Sequence, residues 1–308
     1  MSPRVVSLTP AVFHLPPEVN AVSREYGAHP IVPRGPKFAP LLEDVRREIV
    51  KQLDCPSFRP ILLTGTGSSA MAAVLGSCLS PAERLLTIRN GAYGDRIHEF
   101  ARALGQPLVD HEQPYGVRPD LEQIEGLLAR GEVDAVAIVY GATTSCATNP
   151  LREVGALCKR YQKKLLVDGV SALFVEPMDL EGWGISAVMG SCNKGLHAHP
   201  NLTMCLVRED LLAEMAALPQ RAPSLELTKI AAAQAAGAHP YTIDPMSLLQ
   251  VQAALRALAS EGGVAGRHRT YQARAALLRE GYARLGLSIR SWEGMPLSTF
   301  VASGGCGR

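Results

Sequence analysis

The sequence predicts an α/β protein built on a mainly parallel sheet. Two observations carry that reading. Short apolar runs alternate with longer stretches whose apolar residues recur at helical spacing, the pattern of strands joined through crossover helices. Apolar residues make up 47% of the 308-residue chain and charged residues 19%, enough apolar surface to cover both faces of such a sheet.

The elements follow in order. Residues 1–40 are proline-rich with little periodicity and read as an extended N-terminal arm. Leu41–Leu53 has helical spacing. Pro60–Thr64 is a short buried strand, the glycine-rich turn Gly65-Thr66-Gly67-Ser68-Ser69 follows, and a helix runs through Ala70–Leu79. Leu85–Arg89 is a strand and Ile97–Leu104 a helix. The alternation continues with Gln106–Val109 as strand, Asp120–Ala129 as helix, Ala135–Tyr140 as strand, Leu151–Tyr161 as helix and Leu165–Asp168 as strand. Ile185–Met189 and Leu202–Val207 are two further strands. Beyond Asp244 the chain is mostly helical, with Pro245–Ser260 and His268–Leu285, then short strand candidates at Leu287–Ser291 and Ser298–Ala302. The expected division is an arm over 1–40, a large domain over 41–247 and a partial small domain over 248–308.

Several classes of protein are disfavoured. With 31 basic and 29 acidic residues the net charge is +2, so no basic excess points to nucleic acid. No apolar run reaches the roughly 18 residues that a membrane helix needs. Met1-Ser2-Pro3-Arg4 opens no apolar signal segment. Seven scattered cysteines, an odd number with no Cys-x-x-Cys pair, argue for free thiols in a reducing cytoplasm and against a disulfide framework or a zinc site. His197-Ala198-His199 offers two metal-ligand side chains without a third nearby, so no metal is expected.

The chemistry concentrates at strand ends. Asp168 closes one strand and opens Asp168-Gly169-Val170-Ser171. Lys194 follows the next strand in Gly190-Ser191-Cys192-Asn193-Lys194-Gly195. An acid and a lysine so placed suit pyridoxal phosphate, whose aldehyde condenses with a lysine and whose pyridine nitrogen needs a carboxylate to keep it protonated. Each residue alone also fits an ordinary surface position. The turn Gly65–Ser69 lies between a strand and a helix, where backbone N–H groups, the helix dipole and hydroxyls favour an anion. It lacks the lysine of a P-loop, so a cofactor phosphate fits it better than a nucleotide.

Further strings add to the pattern: Asn90-Gly91-Ala92-Tyr93-Gly94-Asp95-Arg96, Thr143-Thr144-Ser145-Cys146-Ala147-Thr148-Asn149-Pro150, and Pro240-Tyr241-Thr242-Ile243-Asp244-Pro245. In this order, with Asp168 and Asn193-Lys194, the chain resembles the class V, fold-type I aminotransferases, and within them the 2-aminoethylphosphonate–pyruvate aminotransferases. The resemblance covers about residues 55–260. It implies pyridoxal 5′-phosphate held by Lys194, with Asp168 at the pyridine nitrogen and Tyr93 stacked on the ring. It implies Thr143 near the ring oxygen or substrate, Ser171 near the pyridine edge, and Gly67, Ser68, Ser69 and Ser191 around the phosphate. Thr242 would reach the phosphate of a neighbouring subunit, so the resemblance also implies a homodimer. The expected reaction moves an amino group from a small aminophosphonate or amino acid to a 2-oxo acid.

The chain also departs from that pattern. Ala142 and Cys146 stand where the family has Glu and Gly, Ala172 replaces a Ser, and Leu196-His197-Ala198-His199-Pro200 replaces a glycine-bearing stretch. The family continues past the segment that matches Pro296–Phe300 and carries there an arginine that clamps the substrate carboxylate, whereas this chain ends in Gly304-Gly305-Cys306-Gly307-Arg308. The small domain is therefore expected to be truncated and a simple 2-oxo acid to saturate weakly. Arg34, Lys37 and Arg221 are alternative anion contacts. A lyase, decarboxylase or desulfurase on the same fold stays open, with Cys192 or Cys146 as a pointer to sulfur chemistry, and so does a non-catalytic cofactor-binding homologue.

Overall fold

Seven apolar runs become the strands of one sheet in the structure, a computed structural model that describes residues 15–219 and 221–288. They are β1 (Phe58–Thr64), β2 (Leu85–Arg89), β3 (Leu108–Glu112), β4 (Ala135–Val139), β5 (Lys164–Asp168), β6 (Ala187–Ser191) and β7 (Leu202–Arg208), in the spatial order β1-β7-β6-β5-β4-β2-β3. β2 through β6 pair in parallel. β7 runs antiparallel to both β6 and β1, so β1 and β6 point the same way. Every residue of β4 and β6 is buried, as expected of strands covered on both faces.

The two-residue period of a strand divides these runs between two cores. Leu62, Val136, Val167 and Val188 face helices α2 (Phe38–Leu53), α6 (Leu151–Arg160) and α9 (Pro245–Ser260). Leu63, Ala137, Leu166 and Met189 face α3 (Gly67–Ser77), α4 (Ala92–Ala103) and α8 (Leu227–Ala235). The remaining helices are α1 (Pro17–Ala28), α5 (Leu121–Ala129), α7 (Glu209–Met215) and α10 (Gly263–Arg284).

All seven expected strands form, displaced by two or three residues at most. The helices differ more. Residues 17–28, read as extended, form α1, because Pro16 and Pro17 occupy its N-cap and first position, where a missing N–H costs nothing. α3 begins at Gly67, earlier than its apolar residues indicate, because Thr66 and Ser69 form a capping box at its start. α9 has the expected bounds, with Asp244 accepting from the Met246 and Ser247 N–H groups and Pro245 at the first position. α7 and α8 are additional and short. The strand candidates Leu287–Ser291 and Ser298–Ala302 reach into or lie wholly within residues outside the described range. No helix among the described residues is long and apolar enough to cross a membrane.

Candidate active site

The carboxyl-terminal ends of β2, β4, β5 and β6 open on one edge of the sheet, the edge where open α/β sheets bind ligands. β5 delivers Asp168 there, and β6 delivers Ser191 and the turn to Lys194. β1 ends at Thr64 on the same edge and leads into α3, while β2 leads into α4 with Tyr93 and Arg96. A cavity of about 180 Å³ joins them. Of the residues singled out in the sequence, Gly67, Ser68, Tyr93, Asp168, Ser191 and Lys194 line it. Ser69, Thr143, Ser171 and Thr242 do not.

The position of each missing residue has a physical account. Ser69 is used locally, its Oγ accepting the Thr66 N–H at 3.2 Å. Thr143 sits in the loop after β4, where its carbonyl accepts from Cys146 Sγ at 3.6 Å. Ser171 is half-buried in the loop after Asp168. Thr242 lines a separate hollow of about 160 Å³ that also holds Arg34, and its carbonyl accepts from Thr64 Oγ1 at 3.3 Å. Thr66, Arg96 and Asn193 line the main cavity without having been singled out. Arg96 was legible as the last residue of the Asn90–Arg96 string, one turn of helix beyond Tyr93. Its guanidinium lies 4.8 Å from the centre of the Tyr93 ring.

The electrostatics are those of a reactive site. Asp168 is 3% exposed, and burial pushes its carboxyl up to about 6. The Val170 N–H, donating to Oδ1 at 2.9 Å, and the Arg96 charge pull the other way without cancelling that rise. Burial lowers the Lys194 ammonium below its ordinary range, favouring the free amine. The first residues of α3 bring backbone N–H groups and the positive end of the helix dipole to the same cavity. Gly67 is needed there, because a Cβ would come within 2.8 Å of Val170.

A second layer holds these loops. The side chains of Asn90 and Asn149 exchange hydrogen bonds at 2.7 and 3.2 Å. Asn149 also donates to the Val139 carbonyl at 2.8 Å, and Asn90 to the Val117 carbonyl at 2.9 Å. This buried pair ties the turn before Tyr93 to the loop after β4.

Other residues prove to be structural. Arg221 donates to the carbonyls of Leu75, Gly76 and Leu79 and to Gln106 Oε1, so it clips the end of α3 and is no anion contact. Lys37 stands at the N-cap position of α2 with an exposed side chain that makes no cap hydrogen bond, and it is not among the residues lining the main cavity. His197 shares a hydrogen bond with the Tyr271 hydroxyl. Cys192 is fully buried, its thiol pushed up to about 12 by burial, which removes it as a nucleophile.

An amine, a buried acid, an aromatic side chain and the start of a helix line one cavity, and these residues fit a phosphorylated aldehyde cofactor. The class V aminotransferase family profile matches residues 20–285, and the chain belongs to that family. It is 36% identical over 274 residues to a 2-aminoethylphosphonate–pyruvate transaminase of Aeromonas hydrophila, covering 85% of this chain and 71% of that protein. A Salmonella paratyphi B protein of the same name is 34% identical over 256 residues, covering 80% and 68%. Among solved structures, the pyridoxamine–pyruvate aminotransferase of Mesorhizobium loti superposes with a TM-score of 0.86 at 26% identity, covering 98% of this chain and 78% of that one. The ureidoglycine–glyoxylate aminotransferase of Bacillus subtilis shares the fold, with a TM-score of 0.84 at 21% identity, covering 94% and 75%. The chain is thus an aminotransferase of the class that depends on pyridoxal phosphate.

Proposed function

We propose that this chain binds pyridoxal phosphate at Lys194 and transfers the amino group of a small aminophosphonate, 2-aminoethylphosphonate first among them, to a 2-oxo acid. The observation that carries the reading is the meeting of Lys194, Asp168 and the start of α3 in one cavity. The relatives named for that reaction support the substrate class.

Pyridoxal phosphate, when bound, supplies a conjugated pyridine ring that takes up the electrons of the substrate Cα–H bond. Asp168, its carboxyl pushed up to about 6 by burial, would keep the pyridine nitrogen protonated. Lys194 Nζ, biased by burial toward the free amine, would be the attachment point and would move the proton at the substrate Cα. Thr66, Gly67, Ser68 and Ser191, which line the cavity, would hold the phosphate with N–H and hydroxyl donors, and Tyr93 would pack against the ring. Thr143 and Ser171, outside the cavity lining, would act at the substrate and the pyridine edge only if their loops moved inward on binding. Arg96, on the cavity wall, adds positive charge beside the acid.

The same reading makes the chain a homodimer, with Thr242 serving the partner's phosphate; that role fits its place outside the Lys194 cavity. It keeps 41–247 as a large domain and assigns 248–308 to a smaller one. It places the protein in the cytoplasm, in keeping with the buried cysteines among the described residues.

Borohydride reduction of the cofactor-loaded protein should fix the label on Lys194 in peptide mass spectra. Rapid mixing with 2-aminoethylphosphonate, L-alanine, L-serine and L-cysteine should give pyridoxamine phosphate fastest with the phosphonate. A label on another lysine overturns the site; formation fastest with an amino acid overturns the substrate. Sedimentation of a fully loaded monomer at micromolar concentration would remove the dimer.

A further inference from the structure

The turn that carries Lys194 is held from outside the sheet. Its backbone closes on itself, the Lys194 carbonyl accepting the His197 N–H at 3.0 Å. His197 has φ +65°, a left-handed conformation that a β-carbon disfavours and that persists only where the surroundings enforce it. Two of those surroundings come from α10. Arg267 Nη1 donates to the Gly195 carbonyl at 2.5 Å, one residue past the lysine. The Tyr271 hydroxyl and His197 Nε2 share a hydrogen bond at 2.5 Å. Arg267 and Tyr271 are four residues apart, so one face of α10 meets both ends of the turn.

The same helix also holds the loop that follows Asp168. His268 Nδ1 donates to the Val175 carbonyl at 2.9 Å and lies 3.5 Å from the Glu176 carboxylate. Gly195 backs directly onto this loop: a Cβ there would sit 2.2 Å from the Leu173 carbonyl oxygen. The lysine turn is therefore pressed between the loop of the acid and the helix.

Arg267 is the centre of the bracket. It is 0% exposed, and Nε and Nη2 bind the Glu261 carboxylate at 2.8 and 2.6 Å, which compensates its buried charge. Its remaining contact is a charge-assisted hydrogen bond to the lysine turn, stronger and more directional than a neutral one.

We propose that Arg267, with Tyr271, is a positioning residue: α10 fixes the Lys194–His197 turn against the Asp168 loop and so sets where the lysine amine stands relative to the acid. This rests on Lys194 being the reactive amine, as argued above. The residues are far apart in the chain, and nothing in the expected chemistry of the site calls on them.

The test uses Arg267→Lys, Tyr271→Phe and Arg267→Ala, each checked for folding by circular dichroism. In cofactor-free protein, trace acetylation with acetic anhydride across pH, read by peptide mass spectrometry, gives the titration of Lys194 against the other lysines. Turnover of the loaded enzyme gives kcat and KM separately. A loosened turn should move the Lys194 profile toward that of an exposed lysine. It should lower kcat by roughly ten- to a hundredfold, the scale of a small misplacement of a reacting group, with KM little changed. Arg267→Lys, which keeps the charge, should retain more activity than Arg267→Ala. If Arg267→Ala does not fold, the other two variants decide. Folded Arg267→Lys and Tyr271→Phe proteins with an unaltered Lys194 profile and kcat would overturn the proposal and leave Arg267 as a brace for α10 alone. Borohydride labelling of the native protein separates this failure from that of the underlying reading, because a native label away from Lys194 refutes the site itself.

Discussion

β5 carries a lysine at one end and an acid at the other, and the two ends have opposite fates. Lys164 and Asp168 are four residues apart on the same face of the strand, about 13 Å from one another. At the amino end, Lys164 Nζ meets Glu83 at 2.8 Å and Glu214 at 2.6 Å. Burial alone would lower its pKa, yet the hydrogen bonds and charges of Glu214 and Glu83 outweigh burial and raise it. At the carboxyl end, burial outweighs everything else at Asp168 and Lys194, and both are pushed toward their neutral forms. The difference lies in the partners and not in the residue types. An ion that finds its counterions holds a structure together, whereas one buried without enough compensation is ready for a ligand.

Exchanging the two lysines is the sharpest way to break this contrast. Lys194→Ala should abolish borohydride labelling at that position and lower turnover by about 10³-fold or more, the scale of a lost acid–base group. Lys164→Met should leave kcat and KM within a factor of about two, because it lies a strand's length from the cavity. Assays of the two variants side by side test the contrast. Substantial turnover in the first, or a large loss in a folded sample of the second, would end it.

Asp168→Asn comes next. The Asp168 carboxyl has a higher pKa in the folded chain than in the unfolded one, so the folded state holds its proton more tightly between about pH 4 and 6. Ionisation therefore destabilises the cofactor-free protein, fully above about pH 6 and not at all below about pH 4. The shift to about 6 corresponds to roughly 3 kcal/mol. Asp168→Asn should raise cofactor-free stability at pH 8 by up to that amount, with the gain vanishing as the pH falls to 4, while it lowers turnover strongly. Denaturant melts across pH read the first effect. Pyridoxal phosphate should reverse the order by stabilising the native chain more than the variant.

Much of this contrast was legible in the sequence. Asp168 closes one buried strand and Lys194 lies in the turn after the next, and the strands announce themselves as apolar runs between helical segments. Gly67, Ser68 and Tyr93 follow strands in the same way, so local order was enough to find them. What was hidden depends on distance along the chain or on short local devices. Arg267 reaches Gly195 across 72 residues, and a lone arginine in a helix gives no hint that it is buried. Arg221 looked like an anion contact because the carbonyls that satisfy it belong to the end of another helix. α1 was masked by the prolines that start it. Thr242 sits in a hollow of its own, and only an expected second subunit gives it a task at the active site.

The smallest effects test the amino end of β5. The folded pKa of Lys164 is raised, so its ion pairs contribute stability at neutral pH that is lost only as the pH rises through the folded pKa, above the ordinary lysine range. Lys164→Met should cost about 2 kcal/mol at pH 7, less than a fully buried pair because Glu214 is 54% exposed and screened by water. The two acids should differ. Glu83 is the more buried and also accepts the Ser80 N–H at 2.6 Å, so Glu83→Gln disturbs a turn as well as a charge. Glu214→Gln removes only the exposed partner and leaves Glu83 in place, so it should cost less than about 1 kcal/mol and lose even that in high salt. Urea melts of the three variants at low and high salt check the ranking. A Glu214→Gln cost equal to that of Lys164→Met, insensitive to salt, would show that the amino end is a tightly coupled buried site and not a screened structural cluster.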